Sequence, residues 1–172
     1  MLKAVLFDLD QTLIDFMSMK KASCEAAIRA MIDAGIKLDK EHATEILYAI
    51  YDEFGIEYNL VFQEFLKRIN KEIDYKILAA GIVAYRKAQA GMLEPYPQTV
   101  PTLIRLREKG LKLAIVSDAP RLKAWLRLAE MKIADFFDVV VCFEDTNELK
   151  PSTAPFEKAM NLLHLIANLL DI

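Results

Sequence analysis

The sequence predicts an α/β fold: a parallel β-sheet layered with helices and interrupted by a helical insertion. Three observations lead there. Outside one long segment, short apolar runs and helical periods follow in the order strand, helix, strand, helix, strand, helix. That order implies parallel strands joined by right-handed crossovers. Each apolar run is continuous rather than alternating, as in a strand buried on both faces. Between residues 17 and 93 the strand-like runs disappear and only helical periods remain.

The first strand is the run Leu2-Lys3-Ala4-Val5-Leu6-Phe7, ended by the acids Asp8 and Asp10. Ala26, Ala30 and Ala34 then recur every fourth residue, with Ala27 and Met31 beside them, and Gly35 ends this first helix. Glycine accepts the left-handed backbone just past a helix end without steric cost. Asp39 is placed to cap a second helix carrying Ile46, Leu47, Ile50, Tyr51 and Phe54, with Gly55 as its stop. A third helix carries Phe62, Phe65, Leu66 and Ile69, and a fourth runs from about residue 74 to residue 90 with Leu78, Ile82 and Tyr85 on one face. Each has one apolar stripe and one charged face, so each needs a helical neighbour, and together they read as a four-helix module.

Leu93-Glu94-Pro95-Tyr96-Pro97 is a rigid connector. Pro97 suits the first turn of a helix, where its missing N–H is not needed. Val100, Leu103 and Ile104 supply that helix with an apolar face, and Gly110 ends it. Lys112–Val116 is the second strand, closed by Ser117 and Asp118. After Pro120 a helix places Leu122, Leu126 and Ala129 on one face, with Trp125 and Leu128 beside them. Residues 139–143 form the third strand and residues 144–151 a polar loop. Ser152 begins a last helix with Phe156, Ala159, Met160 and Leu163 at helical spacing.

Composition narrows the function classes. The 172 residues are 54% hydrophobic and 27% charged, which excludes a disordered chain, and five Gly and six Pro exclude a fibrous one. Lys and Arg total 22 against 25 Asp and Glu, for a formal charge of -3, and no basic cluster is interleaved with aromatics. Nucleic acid is therefore not expected as a partner. Mean hydropathy is +0.18, yet no apolar run approaches the ~20 residues of a membrane span. The seven residues before Asp8 are too short for a secretory leader. The expectation is a cytoplasmic protein with no membrane partner. Cys24 and Cys142 are too few for a disulfide framework, and Cys142, inside an apolar run, reads as a core residue.

Ligands of parallel sheets bind at the carboxyl ends of the strands. Here those ends supply Asp8, Asp10 and Thr12, then Ser117 and Asp118, then Lys150 after a loop. Asp8 and Asp10 leave the same strand end, and a loop can turn both inward. Two close carboxylates repel, and a cation relieves the repulsion. Mg²⁺ suits such a site, since it takes few carboxylates together with phosphate oxygens and waters. With a phosphate bound, one carboxylate can act as nucleophile and the other as proton donor and then acceptor. Lys150 and Ser117 would hold the phosphoryl oxygens.

These residues resemble the motifs of the haloacid-dehalogenase-like (HAD) hydrolases. Val5-Leu6-Phe7-Asp8-Leu9-Asp10-Gln11-Thr12 is similar to the family's first motif, apolar residues followed by Asp-x-Asp-x-Thr. Ile115-Val116-Ser117-Asp118 resembles the second, and Lys150-Pro151 the third. The resemblance implies a Rossmann-like core formed by residues 1–15 and 94–172, and a C1-type helical cap at residues 16–93. It implies Asp8 as nucleophile and Asp10 as general acid and base. Mg²⁺ would be held by the Asp8 side chain and the Asp10 carbonyl. Thr12, Ser117, Asp118 and Lys150 would serve phosphate and substrate binding. Dehalogenases of this architecture lack the second Asp, so Asp10 favours phosphoryl chemistry. A capped site favours a small phosphorylated metabolite.

One feature departs from the family pattern. The expected fourth motif, a strand ending in Gly-Asp or Asp-Asp, has no counterpart after Leu163, and Asp171 is the only acid beyond Glu157. The core is therefore expected to be shortened at its C-terminal end, with the first strand at an uncovered edge. Residues 165–172 would cover that edge, or two copies would associate through it. Two functions follow as expectations. One is Mg²⁺-dependent hydrolysis of a phosphate monoester. The other is an inactive or weakly active truncated homologue that binds phosphate, a metabolite or a protein partner.

Overall fold

The computed structural model describes residues 2–164. The chain divides after Phe16 and again after Met92 into two compact units, the middle segment Met17–Met92 and the segments flanking it.

The flanking unit is an α/β fold with a parallel three-stranded sheet in the order β1 (Ala4–Phe7), β2 (Lys112–Val116), β3 (Val139–Val141). Val5 pairs with Leu113 and Phe7 with Ile115; Ile115 in turn pairs with Val140. β2 is the central strand, and Leu113 to Val116 are all buried, which is why its apolar run is unbroken. Helix α8 (Ala154–Leu162) covers one face, where Ala114, Val116, Val141, Ala159 and Leu163 form a core with Ala4, Leu6 and Val139 against it. Lys112 Nζ donates to the Leu163 carbonyl at 2.8 Å. At the start of β2, Asp138 accepts from the Leu113 N–H at 2.8 Å and pairs with Arg107 at 2.6 Å. Among the described residues β1 pairs only with β2. Residues 165–172, expected to cover its other edge, lie outside the described residues.

Several elements differ from expectation in ways that matter for the site. β3 stops at Val141, and Phe143–Thr146 is a short helix, α7, rather than strand and loop. The Asp145 carboxylate accepts from the Cys142 N–H at 2.8 Å, a local bond that turns the chain away from the sheet. Pro97 lies in a turn ahead of helix α5 (Thr99–Glu108), and Ile104 is exposed while Leu103 is buried. Phe156 on α8 is exposed as well.

The largest departure is helix α6 (Arg121–Glu130). Its buried residues are Ala124, Arg127 and Leu128, whereas Leu122 and Leu126 are 70% and 59% exposed. The helix carries two stripes of similar spacing. The fold buries the one that contains an arginine, because that arginine finds an acid, as described below.

The middle unit consists of α1 (Phe16–Asp33, entered from the flanking unit), α2 (Lys40–Phe54), α3 (Val61–Asn70) and α4 (Tyr75–Ala90). Its core includes Cys24, Ile28, Met31, Leu47, Ile50, Phe65, Leu66 and Leu78. Asp39 and Asp74 cap α2 and α4 through bonds from backbone N–H groups, satisfying donors that a helix start leaves unpaired. Gly55 ends α2 at φ +90°. Lys20 is 4% exposed, with its ammonium 4.3 Å from the Tyr51 ring centroid and 5.5 Å from that of Tyr85. Sequence patterning gave no sign of this buried cation. Among the described residues no helix is long and apolar enough to cross a membrane.

Candidate active site

The site begins where β1 ends. Past Phe7 the chain folds into a tight turn. Gln11 takes a left-handed conformation at φ 61°, and the Leu13 N–H donates to the Leu9 carbonyl at 2.9 Å. The Gln11 N–H donates to the Ile14 carbonyl at 2.8 Å. Leu9, Leu13 and Ile14 are buried. The apolar residues thus anchor the turn, and the interleaved polar residues Asp8, Asp10 and Thr12 are held at the strand end.

Asp8 is the hub. Its Oδ2 accepts from Thr12 Oγ1 at 3.2 Å, and its Oδ1 accepts from Lys150 Nζ at 2.5 Å. Lys150 Nζ also donates to the Val116 carbonyl at 3.1 Å, at the last residue of β2. The Lys150 backbone N–H donates to Asp118 Oδ1 at 3.0 Å. Asp118 therefore fixes the segment that carries the ammonium. Ser117 is buried beside it, and its Oγ accepts from the Ala119 N–H at 3.1 Å. Asp8, Thr12, Asp118 and Lys150 thus form one connected network, with Ser117 in the turn next to it.

Asp10 has a different partner. Its Oδ2 accepts from Arg127 Nη1 at 2.8 Å. The Arg127 side chain is 5% exposed, and its guanidinium carbon lies 4.4 Å from the Phe16 ring centroid. Sequence reasoning missed Arg127. The available signal was its place three residues after Ala124 and one before Leu128, on the helix stripe opposite Leu122 and Leu126. Glu144, read from the sequence as a capping acid of the loop, accepts from the Arg121 N–H at 2.8 and 3.0 Å at the start of α6. Asp145 pairs with the Arg121 side chain at 2.7 Å.

The two carboxylates two positions apart are thus each matched by a separate cation, which offsets their mutual repulsion. Asp8, Asp10, Asp118, Thr12 and Ser117 offer only oxygen donors, a set that suits a hard divalent cation such as Mg²⁺ better than a soft one. Among the described residues no group of three or more His, Cys, Asp or Glu side chains converges. One carboxylate, on Asp8, and a backbone carbonyl, on Asp10, are within what Mg²⁺ requires of a protein when phosphate and water complete the shell.

Comparison with known proteins gives the family. Residues 5–169 match the sequence profile of the haloacid dehalogenase-like hydrolases. The chain is 35% identical over 167 residues to the glyceraldehyde 3-phosphate phosphatase of Methanocaldococcus jannaschii, covering 97% of this chain and 73% of that protein. It is 37% identical over 160 residues to the protein of the same name from Methanothermobacter thermautotrophicus, covering 93% of this chain and 71% of the other. Among solved structures, the HAD phosphatase from Thermococcus onnurineus superimposes with a TM-score of 0.63 at 28% identity, covering 95% of this chain and 72% of that one.

Proposed function

The chain belongs to the haloacid dehalogenase-like hydrolases, and from that membership we propose that it hydrolyses a small phosphate monoester through an aspartyl-phosphate on Asp8. The observation that carries the reading is the pairing of Asp8 with Lys150 and Thr12 at the end of β1. A carboxylate beside a cation able to hold the phosphoryl group supports the reading of Asp8 as nucleophile. Relatives named as phosphatases of a three-carbon phosphate support a substrate of that size.

In the first step an Asp8 oxygen bonds to phosphorus and the ester P–O bond breaks. Asp10 gives a proton to the departing alcohol oxygen from the carboxyl oxygen that Arg127 does not hold. In the second step Asp10 takes a proton from water, whose oxygen bonds to phosphorus as the Asp8–phosphorus link breaks. Orthophosphate leaves and Asp10 is protonated again. Lys150 uses two donors on Asp8 and on Val116, and its third serves a phosphoryl oxygen. Asp118 keeps Lys150 in place through its backbone. Asp8 and Asp10 would hold Mg²⁺, which when bound offsets the negative charge of the phosphoryl oxygens. The helical unit is read as a cap that selects small substrates and excludes water.

The test is phosphate release from glyceraldehyde 3-phosphate, phosphoglycolate and p-nitrophenyl phosphate in MgCl₂. Turnover is expected, and Asp8→Asn lowers it by at least about 10³-fold because no other group replaces the nucleophile. No release by the wild-type chain, or full activity in Asp8→Asn, overturns the reading and leaves a phosphate- or metabolite-binding protein.

A further inference from the structure

Arg127 is a costly residue to bury. A guanidinium taken out of water loses hydration that one ion pair only partly restores, and apolar residues of similar volume commonly stabilise such a position as well or better. Its neighbours on the buried face of α6 are Ala124 and Leu128, so packing alone would be served by a methionine or leucine. The guanidinium nevertheless reaches across 117 positions of sequence to Asp10 Oδ2, and it lies over the Phe16 ring. The planar fork of arginine fixes a carboxylate in direction as well as in place. A second consequence concerns Lys150. Asp8 and Asp10 leave the same turn, and a single ammonium would be shared between them. With Asp10 held by Arg127, the Lys150 ammonium pairs with the Asp8 carboxylate at 2.5 Å.

We propose that Arg127 is a positioning residue that, by holding Oδ2, orients the Asp10 carboxyl group toward the leaving-group oxygen and keeps Lys150 committed to Asp8. The proposal rests on the phosphatase reading, in which Asp10 is the proton donor. Arg127 acts through Asp10, so its removal slows the proton-dependent step and spares nucleophilic attack on esters that need no proton.

The experiment measures kcat/KM, which reports through departure of the alcohol, for an alkyl phosphate such as glyceraldehyde 3-phosphate and for p-nitrophenyl phosphate, whose leaving group needs little protonation. Arg127→Met, close in volume, is expected to lose about 10- to 100-fold with the alkyl ester, the scale of a small misplacement of a reacting group. With the aryl ester the loss stays within about threefold. Arg127→Lys, which keeps the charge without the fork, recovers part of the alkyl loss. In an Asp10→Asn background Arg127→Met adds less than about twofold, because residues acting as one unit are non-additive. Equal losses on both esters, no loss on either, or a full additional loss in Asp10→Asn would each overturn the proposal. If Arg127→Met does not fold, the same cycle with Arg127→Lys decides. A wild-type chain that releases no phosphate defeats the phosphatase reading itself. An active wild type sensitive to Asp10→Asn but indifferent to Arg127 defeats only this proposal.

Discussion

Lys150 joins three parts of the site. Its ammonium touches Asp8 and the end of β2, and its backbone is held by Asp118. Lys150→Met should lower kcat by about 10²- to 10³-fold, the range for loss of a group that offsets developing charge. Phosphate-release assays under saturating substrate read this directly. Cys142 shows a different effect of burial. Loss of hydration, then the charges of Asp145 and Glu144, push its thiol up to about 11, with Arg121 opposing. The unfolded chain's thiol ionises near 8.5, so the folded state keeps its proton longer. The resulting stability is complete below about pH 8.5 and is lost as pH rises toward 11. Urea midpoints compared at pH 8 and pH 10.5 should fall more for wild type than for Cys142→Ala.

At the scale of elements, the Met31 side chain of α1 lies in the space that a side chain at position 81 of α4 would fill. A methyl group added at Gly81 would lie 2.1 Å from Met31 Cε and 2.8 Å from its Cγ. Met31 is fully buried. Overpacking of about 1–3 kcal/mol opposes a helix-propensity gain of about 1 kcal/mol. Gly81→Ala should therefore lower the melting temperature despite favouring helix locally, and Met31→Ala in the same chain should recover part of the loss. Helix α6 teaches the complementary lesson. Its stripe of Leu122, Trp125 and Leu126 is the more apolar one, yet it is the exposed one. Periodicity established that a helix is present, and the face that turns inward is the one whose arginine meets Asp10.

For the whole molecule, the two units carry separate cores. Phe65 is fully buried in the middle unit, and Phe65→Ala should cost about 3–5 kcal/mol there. Hydrogen exchange should show amides of α2 and α3 losing protection while those of β2 change far less. Uniform loss across both units would mean that they unfold as one cooperative body.

Local features were legible along the chain: the continuous runs of β1 and β2, the four helices with Asp39, Gly55 and Asp74 at their ends, and the placing of Asp8, Asp10, Thr12, Ser117 and Lys150 after successive strands. Strand period, cap chemistry and strand-end acids all act within a few residues, so a linear reading reaches them. Tertiary structure alone decided the rest. Cys142 ends β3 early because the Asp145 carboxylate is at hand to take its N–H. Asp118 serves the Lys150 backbone. Arg127 is buried because Asp10, distant in sequence, lies where its guanidinium can reach. A buried charge is tolerable only beside its partner, and which partner is near is a property of the folded chain.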